Sequence, residues 1–160
     1  MRLTILVPGL IPGLALLVLL SGCSEQDAHS GHSMAPGATE SVQRVQDFAR
    51  IANGKRVFSR HCAECHGANA EGDANWRFRD ASGHFPPPPL NGTAHAWHHP
   101  WDELHQTIRD GVNNMPAWGT VLSPEEIDDT IAWFQSLWPD EVYAAWHGID
   151  QRSRNAASQR

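Results

Sequence analysis

Cysteine is scarce in this chain: three residues in 160, at positions 23, 62 and 65. Too few remain beside any one pair to complete a four-ligand zinc site or a disulfide framework. Strand patterning is missing too, since no segment alternates apolar and polar residues convincingly, and that excludes a β-rich fold. There is no internal repeat. Positive charge is also short, with 12 basic against 18 acidic residues and a net charge of −6. That balance argues against nucleic acid as a partner. The acids gather late: ten lie between Asp102 and Asp150, where Arg109 is the one base. Arg44, Arg50, Lys55, Arg56 and Arg60 come earlier. Such a charge dipole can orient encounter with a partner, although a solvated acidic face accounts for it equally well.

The N-terminal segment is as apolar as the rest is polar. After Arg2 an almost uninterrupted apolar run extends from Leu3 to Leu20 and leads into Ser21-Gly22-Cys23. These are the n-region and h-region of a bacterial export signal. The small residues before Cys23 resemble a lipobox, so residues 1–22 are expected to be a lipoprotein signal peptide and Cys23 the lipidated first residue of the mature chain. A retained transmembrane anchor is the alternative, weakened by Pro8 and Pro12. Losing Arg2 with the leader leaves 138 residues carrying 11 basic and 18 acidic groups, a net charge of −7. Residues 23–45 read as a flexible His/Ser/Gly tether. Residues 46–142 carry the periodic patterns, and residues 143–160 read as a polar C-terminal tail expected to fray.

The remaining two cysteines share the stretch Arg60-His61-Cys62-Ala63-Glu64-Cys65-His66-Gly67. Cys-x-x-Cys alone suits half a zinc site or a redox dithiol. With His directly after it, the pentapeptide is the attachment signature of haem c: the two thiols add to the porphyrin vinyl groups and the histidine reaches the iron. A redox dithiol beside an incidental histidine is the competing reading.

Three helices are predicted. The first covers about Ile51 to His61, with Asn53 or a neighbour as its cap and Val57 and Phe58 as apolar contacts. The second covers about Pro100 to Asp110, with Trp101, Leu104 and Ile108 on one face and Gly111 as its stop. The third opens on Ser123-Pro124-Glu125-Glu126, a capping-box pattern with Pro at the first helical position. Its apolar stripe is Ile127, Ile131, Phe134 and Trp138, widened by Trp133 and Leu137, and Pro139 ends it. Residues 67–99, including the run Pro86 to Pro89, form a loop long enough to be wrapping something.

An iron held by His66 has a second axial position. Met115, in Asn114-Met115-Pro116-Ala117-Trp118-Gly119, is the preferred ligand, since Met1 is the initiator and Met34 lies in the tether. A thioether favours ferrous iron and raises the reduction potential. Core filling is the alternative for Met115, and His95, His98 and His99 are rival ligands.

A haem motif after a first helix, a Met-Pro-x-x-Gly segment and a last helix bearing an aromatic residue together resemble a class I cytochrome c over residues 46–142. The resemblance implies an all-α cytochrome c fold with three main helices around one covalent haem c. Gly54 and Phe58 match the family's first-helix crossing positions, and Trp133 its last-helix aromatic. It further implies that a prolyl carbonyl accepts a hydrogen bond from the iron-ligating histidine, for which Pro88 is the nearest match. Trp97 and Trp118 are candidate donors to a haem propionate, or packing against the porphyrin edge. With Lys55 the only lysine, the lysine docking ring of mitochondrial-type cytochromes is absent.

The function expected is single-electron transfer between a dehydrogenase or quinol-oxidising complex and a terminal oxidase or reductase. The domain is expected on the periplasmic side, anchored to the membrane by lipid. A haem-based gas sensor or small haem enzyme with a displaceable sixth ligand is the alternative. In the tether, His29, His32 and Met34 are three residues of copper-ligating type; a tether that binds nothing is the preferred reading of them.

Overall fold

The computed structural model describes Arg44 and residues 47–160; the expected leader (residues 1–22), Cys23 and the His29–Met34 window lie outside these residues. Helix α1 spans Phe48–His61, α2 spans Ala63–His66, α3 spans Trp101–Asp110, α4 spans Pro124–Ser136 and α5 spans Asp140–Ser158, with one 3-10 turn over Ala96–His98. The described residues contain an isolated bridge between Val112 and Met115 but no named strand. The fold is the expected all-α cytochrome c arrangement.

Helix α1 begins three residues earlier than predicted. Asn53 is interior, and the cap is Asp47, whose carboxylate accepts from the backbone N–H of Ala49 and Arg50 at 3.0 and 3.1 Å. Helix α4 starts as its sequence demands: Ser123 Oγ accepts from Glu126 N, and the Glu126 carboxylate accepts from Ser123 N. Its end is less as expected. The helix stops at Ser136, Leu137 faces outward, and Pro139 serves as the N-cap residue of the next helix.

The crossing of α1 and α4 organises the core. A Cβ on Gly54 would run into the Asp129 carbonyl and lie 2.9 Å from Trp133 Cβ, so only glycine lets the two backbones approach this closely. One turn further along, the Phe58 and Trp133 rings meet at 4.3 Å, tilted by 45°. Asp129 also accepts from Arg50 Nε at 2.9 Å and from Asn53 Nδ2 at 2.7 Å, tying the rims of the crossing together. Val57, Ile127, Ile131 and Phe134 complete the apolar interior.

The largest departure lies at the C-terminus. The expected polar tail is a nineteen-residue helix, α5, giving four long helices among the described residues where three were predicted. Its buried side is narrow, chiefly Trp146 and Asp150, which are four residues apart and therefore share a face. Trp146 packs among Trp101, Trp138 and Tyr143. Its indole N–H donates to the His99 carbonyl at 3.0 Å. Asp150, only 5 % exposed, accepts from Trp101 N at 2.8 Å and from Arg154 at 2.7 Å. Pro100, which precedes α3, offers no side-chain cap, so Asp150 caps α3 from another helix. A polar composition concealed this role because two residues carry the docking.

Two glycines test the packing with opposite signs. Gly54→Ala is expected to destabilise the folded protein by about 2–3 kcal/mol through overpacking at a backbone contact. Gly148→Ala, on α5 with only the flexible end of Arg152 nearby at 3.4 Å, is expected to stabilise by about 0.5–1 kcal/mol. Urea unfolding followed by far-ultraviolet circular dichroism measures both.

Candidate haem site

The site grows from the junction of α1 and α2. Cys62 caps both helices, donating its N–H to the Phe58 carbonyl and accepting from Cys65 and His66 through its own carbonyl. Cys65 and His66 are thus presented on one short turn of helix. No disulfide joins Cys62 and Cys65. Burial, helped by the neighbouring Cys65, pushes the Cys62 thiol up to about 11. A redox dithiol needs a thiol that ionises readily, so this environment speaks against that alternative.

His66 is buried, and its Nδ1 lies 3.0 Å from the Pro88 carbonyl. A carbonyl oxygen can only accept, so the proton resides on Nδ1 and the Nε2 lone pair is left free for a metal. Burial lowers the His66 pKa below the ordinary histidine range, with the Pro88 bond opposing it. The ring is thereby kept neutral, as a ligand must be.

Pro88 is held by its neighbours. Prolines have no N–H, so the run Pro86 to Pro89 offers the structure only carbonyls. Pro87 O accepts from Asp73 N at 2.8 Å, Pro88 O accepts from His66, and the next residue, Leu90, donates to Ala70 O at 2.8 Å. Gly72 makes the close approach feasible: its φ is +65°, and a Cβ there would meet the Pro87–Pro89 backbone. Its N–H also donates to the His66 carbonyl at 2.7 Å. Below the strap, Trp138 donates its indole N–H to Leu90 O at 2.7 Å, tying the strap to the segment after α4.

Met115 lies in a tight turn closed by two bonds with Val112, at 3.1 and 2.8 Å. Gly111, at φ +74°, lets that turn fold back; a Cβ there would sit 2.6 Å from Met115 O. The turn is fastened to the end of α3 by Trp118 N to Ile108 O at 3.1 Å and Gly119 N to Arg109 O at 2.9 Å.

These parts converge on a cleft of about 380 Å³ lined by His66, Pro88 and Met115 together with Leu104, Ile108 and Phe134. A soft thioether, a neutral imidazole and apolar walls are a donor set suited to haem. His95 and His99 also line the cleft, whereas His98 does not. His99 is engaged elsewhere, through Nδ1 with Glu103 at 3.0 Å and through its carbonyl with Trp146. His95 stacks on Trp76 at 5.5 Å. Trp97 and Trp118 do not reach the cleft wall. Trp97 packs on His98 at 3.8 Å, and Trp118 meets His61 edge-on at 5.3 Å, linking the Met115 turn to the end of α1. A larger groove of about 720 Å³, lined by residues including Arg44, Trp101 and Tyr143, shares no lining residue with the cleft. Sequence reasoning missed Gly72, Gly111's second role, and the Trp138 and Trp146 donors.

Fold and site together define a class I cytochrome c, the class in which a polypeptide wraps a covalently attached haem. Within it, residues 49–134, just over half of the chain, match the family described as cytochrome c oxidase, cbb3-type, subunit III, and the chain belongs to that family. It is 30 % identical over 127 residues to the cbb3-type cytochrome c oxidase subunit FixP of Sinorhizobium medicae, covering 72 % of this chain and 40 % of that protein. It is 33 % identical over 95 residues to the subunit CcoP of Rubrivivax gelatinosus, covering 58 % of this chain and 28 % of that protein. The chain thus spans half or less of the length of these relatives. Among solved structures, cytochrome cL of Methylophaga aminisulfidivorans is similar with a TM-score of 0.49 and 22 % identity, over 72 % of this chain and 78 % of that one. Membership of the family implies covalently bound haem c. Among the described residues no helix is long and apolar enough to cross a membrane.

Gly72→Ala is expected to force the proline strap off His66. The holoprotein should lose about 2–4 kcal/mol of stability, read as a fall in the thermal midpoint, and less of the chain should accumulate with haem attached.

Proposed function

We propose that this chain is a single-electron carrier with one haem c, bonded through Cys62 and Cys65 and ligated at the iron by His66 and Met115. The observation that carries this reading is the convergence of His66 and Met115 on one apolar cleft, with the imidazole tautomer set by Pro88 O. Bound there, haem supplies a reversible one-electron couple. The protein's own contribution is threefold. His66 is kept neutral and oriented, Met115 is held in a bonded turn, and Leu104, Ile108 and Phe134 exclude water. With both axial positions filled from the chain, substrate has no route to the iron, so the chain by itself catalyses no reaction and passes electrons between proteins.

The oxidase subunits to which the chain is similar support a place beside a terminal oxidase, as a subunit or as a soluble-domain donor. The leader pattern supports export, with removal of residues 1–22, lipidation of Cys23 and a domain on the periplasmic side of a bacterial envelope.

Spectra of the purified protein test the reading. Low-spin bands, a weak far-red sulfur-to-iron band in the oxidised form and no response of the reduced form to carbon monoxide are expected. Met115→Ala should lose the far-red band, bind carbon monoxide at about one equivalent per haem and lower the reduction potential. A wild-type protein that binds carbon monoxide readily would overturn the reading in favour of a gas sensor or small haem enzyme.

A further inference from the structure

Residues 76–85 form a projection with an unusual surface for so acidic a chain. Phe78 is 71 % exposed and lines neither the haem cleft nor the larger groove. Arg77 and Arg79 flank it, both exposed. Among the described arginines, Arg44, Arg50, Arg56, Arg109 and Arg154 each pair with a carboxylate, while Arg60, Arg152 and Arg160, like Arg77 and Arg79, do not. Arg77 and Arg79 form no ion pair among the described residues. They lie instead over aromatic faces, Arg77 4.6 Å from the Trp76 ring and Arg79 4.2 Å from the Phe85 ring. The one carboxylate at the tip, Asp80, is turned onto the loop's own backbone, accepting from Ser82 N at 2.8 Å and His84 N at 2.9 Å. Arg79 also donates to Gly83 O at 2.6 Å. The projection is therefore held in one shape before any partner arrives, and its unneutralised charge is positive.

Its position matters as much as its charge. Phe85, beneath Arg79, lines the haem cleft, and so does His95, on which Trp76 stacks. Two ring contacts thus join the projection to the lining of the redox site.

We propose that residues 76–85 are a docking knuckle for an acidic surface of a redox partner protein, with Arg77 and Arg79 supplying the charge complement, Phe78 the apolar contact and Phe85 the link to the haem cleft. The inference rests on the electron-carrier reading above. Two exposed rings, Phe78 at 71 % and Phe85 at 44 %, with two charges form a patch of the size found in the small, transient interfaces of electron-transfer complexes. It is a poor match for a bilayer, which rewards broader apolar burial. The knuckle also serves where the lysine ring of mitochondrial-type cytochromes is absent.

The test exploits an opposition of signs. The chain carries a net charge of −6, so against an acidic acceptor global charge predicts a rate that rises with salt, whereas docking through the knuckle predicts one that falls. The reduced holoprotein is mixed in a stopped-flow apparatus with an oxidised blue-copper protein bearing an acidic patch, across a range of ionic strengths. The wild-type rate is expected to fall as salt rises. R77E/R79E should be slower by about tenfold at low salt and reverse the slope, R77K/R79K should keep the wild-type slope, and F78S should be several-fold slower with the slope retained. Ferricyanide oxidation, which needs no docking protein, should proceed in all four. A wild-type rate that rises with salt, or R77E/R79E indistinguishable from wild type, overturns the knuckle while leaving the carrier reading intact. Failure of ferricyanide to oxidise the wild type overturns the carrier reading itself. Wild-type binding to phosphatidylglycerol vesicles that R77E/R79E abolishes, with unaltered protein-to-protein rates, reassigns the surface to a bilayer and overturns the proposal.

Discussion

The absence of a side chain at Gly54 is the constraint on which the rest depends. It brings α1 against α4 closely enough for the Asp129 carbonyl to occupy the place of a Cβ. That approach sets Phe58 on Trp133 and buries Val57 with Ile131. It also fixes where the end of α1 emerges, and so where Cys62, Cys65 and His66 stand. Phe134, on the same helix as Trp133, then forms part of the haem cleft. A separation wider by one methyl group would be felt at His66 without His66 being touched.

The strap and the Met115 turn close the cleft by a different means. Neither is a regular element, and each relies on backbone groups that have no helical partner. Four successive prolines supply acceptors only, and the donors come from Asp73 and His66, with Leu90 donating back to Ala70. On the other side, Gly111 and the Val112–Met115 bonds present the thioether.

Much of this was legible in the sequence for identifiable reasons. The capping box at Ser123, the stripe from Ile127 to Phe134 and the Cys-x-x-Cys-His pentapeptide are local patterns, each readable from a few neighbouring residues. The crossing at Gly54 was legible by resemblance, as was the prolyl carbonyl opposite His66. What escaped was non-local. Asp150 caps a helix forty-nine residues away, and Trp146 reaches the His99 carbonyl; neither produces a periodic signal, so α5 looked like a tail. Trp97 and Trp118 escaped in the opposite sense. Sequence offered each indole as a propionate donor or as packing on the porphyrin edge; in the structure Trp97 lies against His98 and Trp118 meets His61 edge-on, away from the cleft lining. Asn53 resembled a cap and is instead a rim contact, because the cap, Asp47, lay four residues before the expected start at Ile51.

The proline run has a consequence for the speed of electron exchange. A wall of four prolines has few conformations to lose on folding and few to visit afterwards. The carbonyl opposite His66 Nδ1 is therefore held in place by the stiffness of the run. With haem bound beside His66, such a wall would need little rearrangement when an electron arrives or leaves, and a small reorganisation energy would let exchange run quickly on a slight difference in potential. Stiffness in the loop, rather than any chemistry of its side chains, is what the strap contributes to turnover.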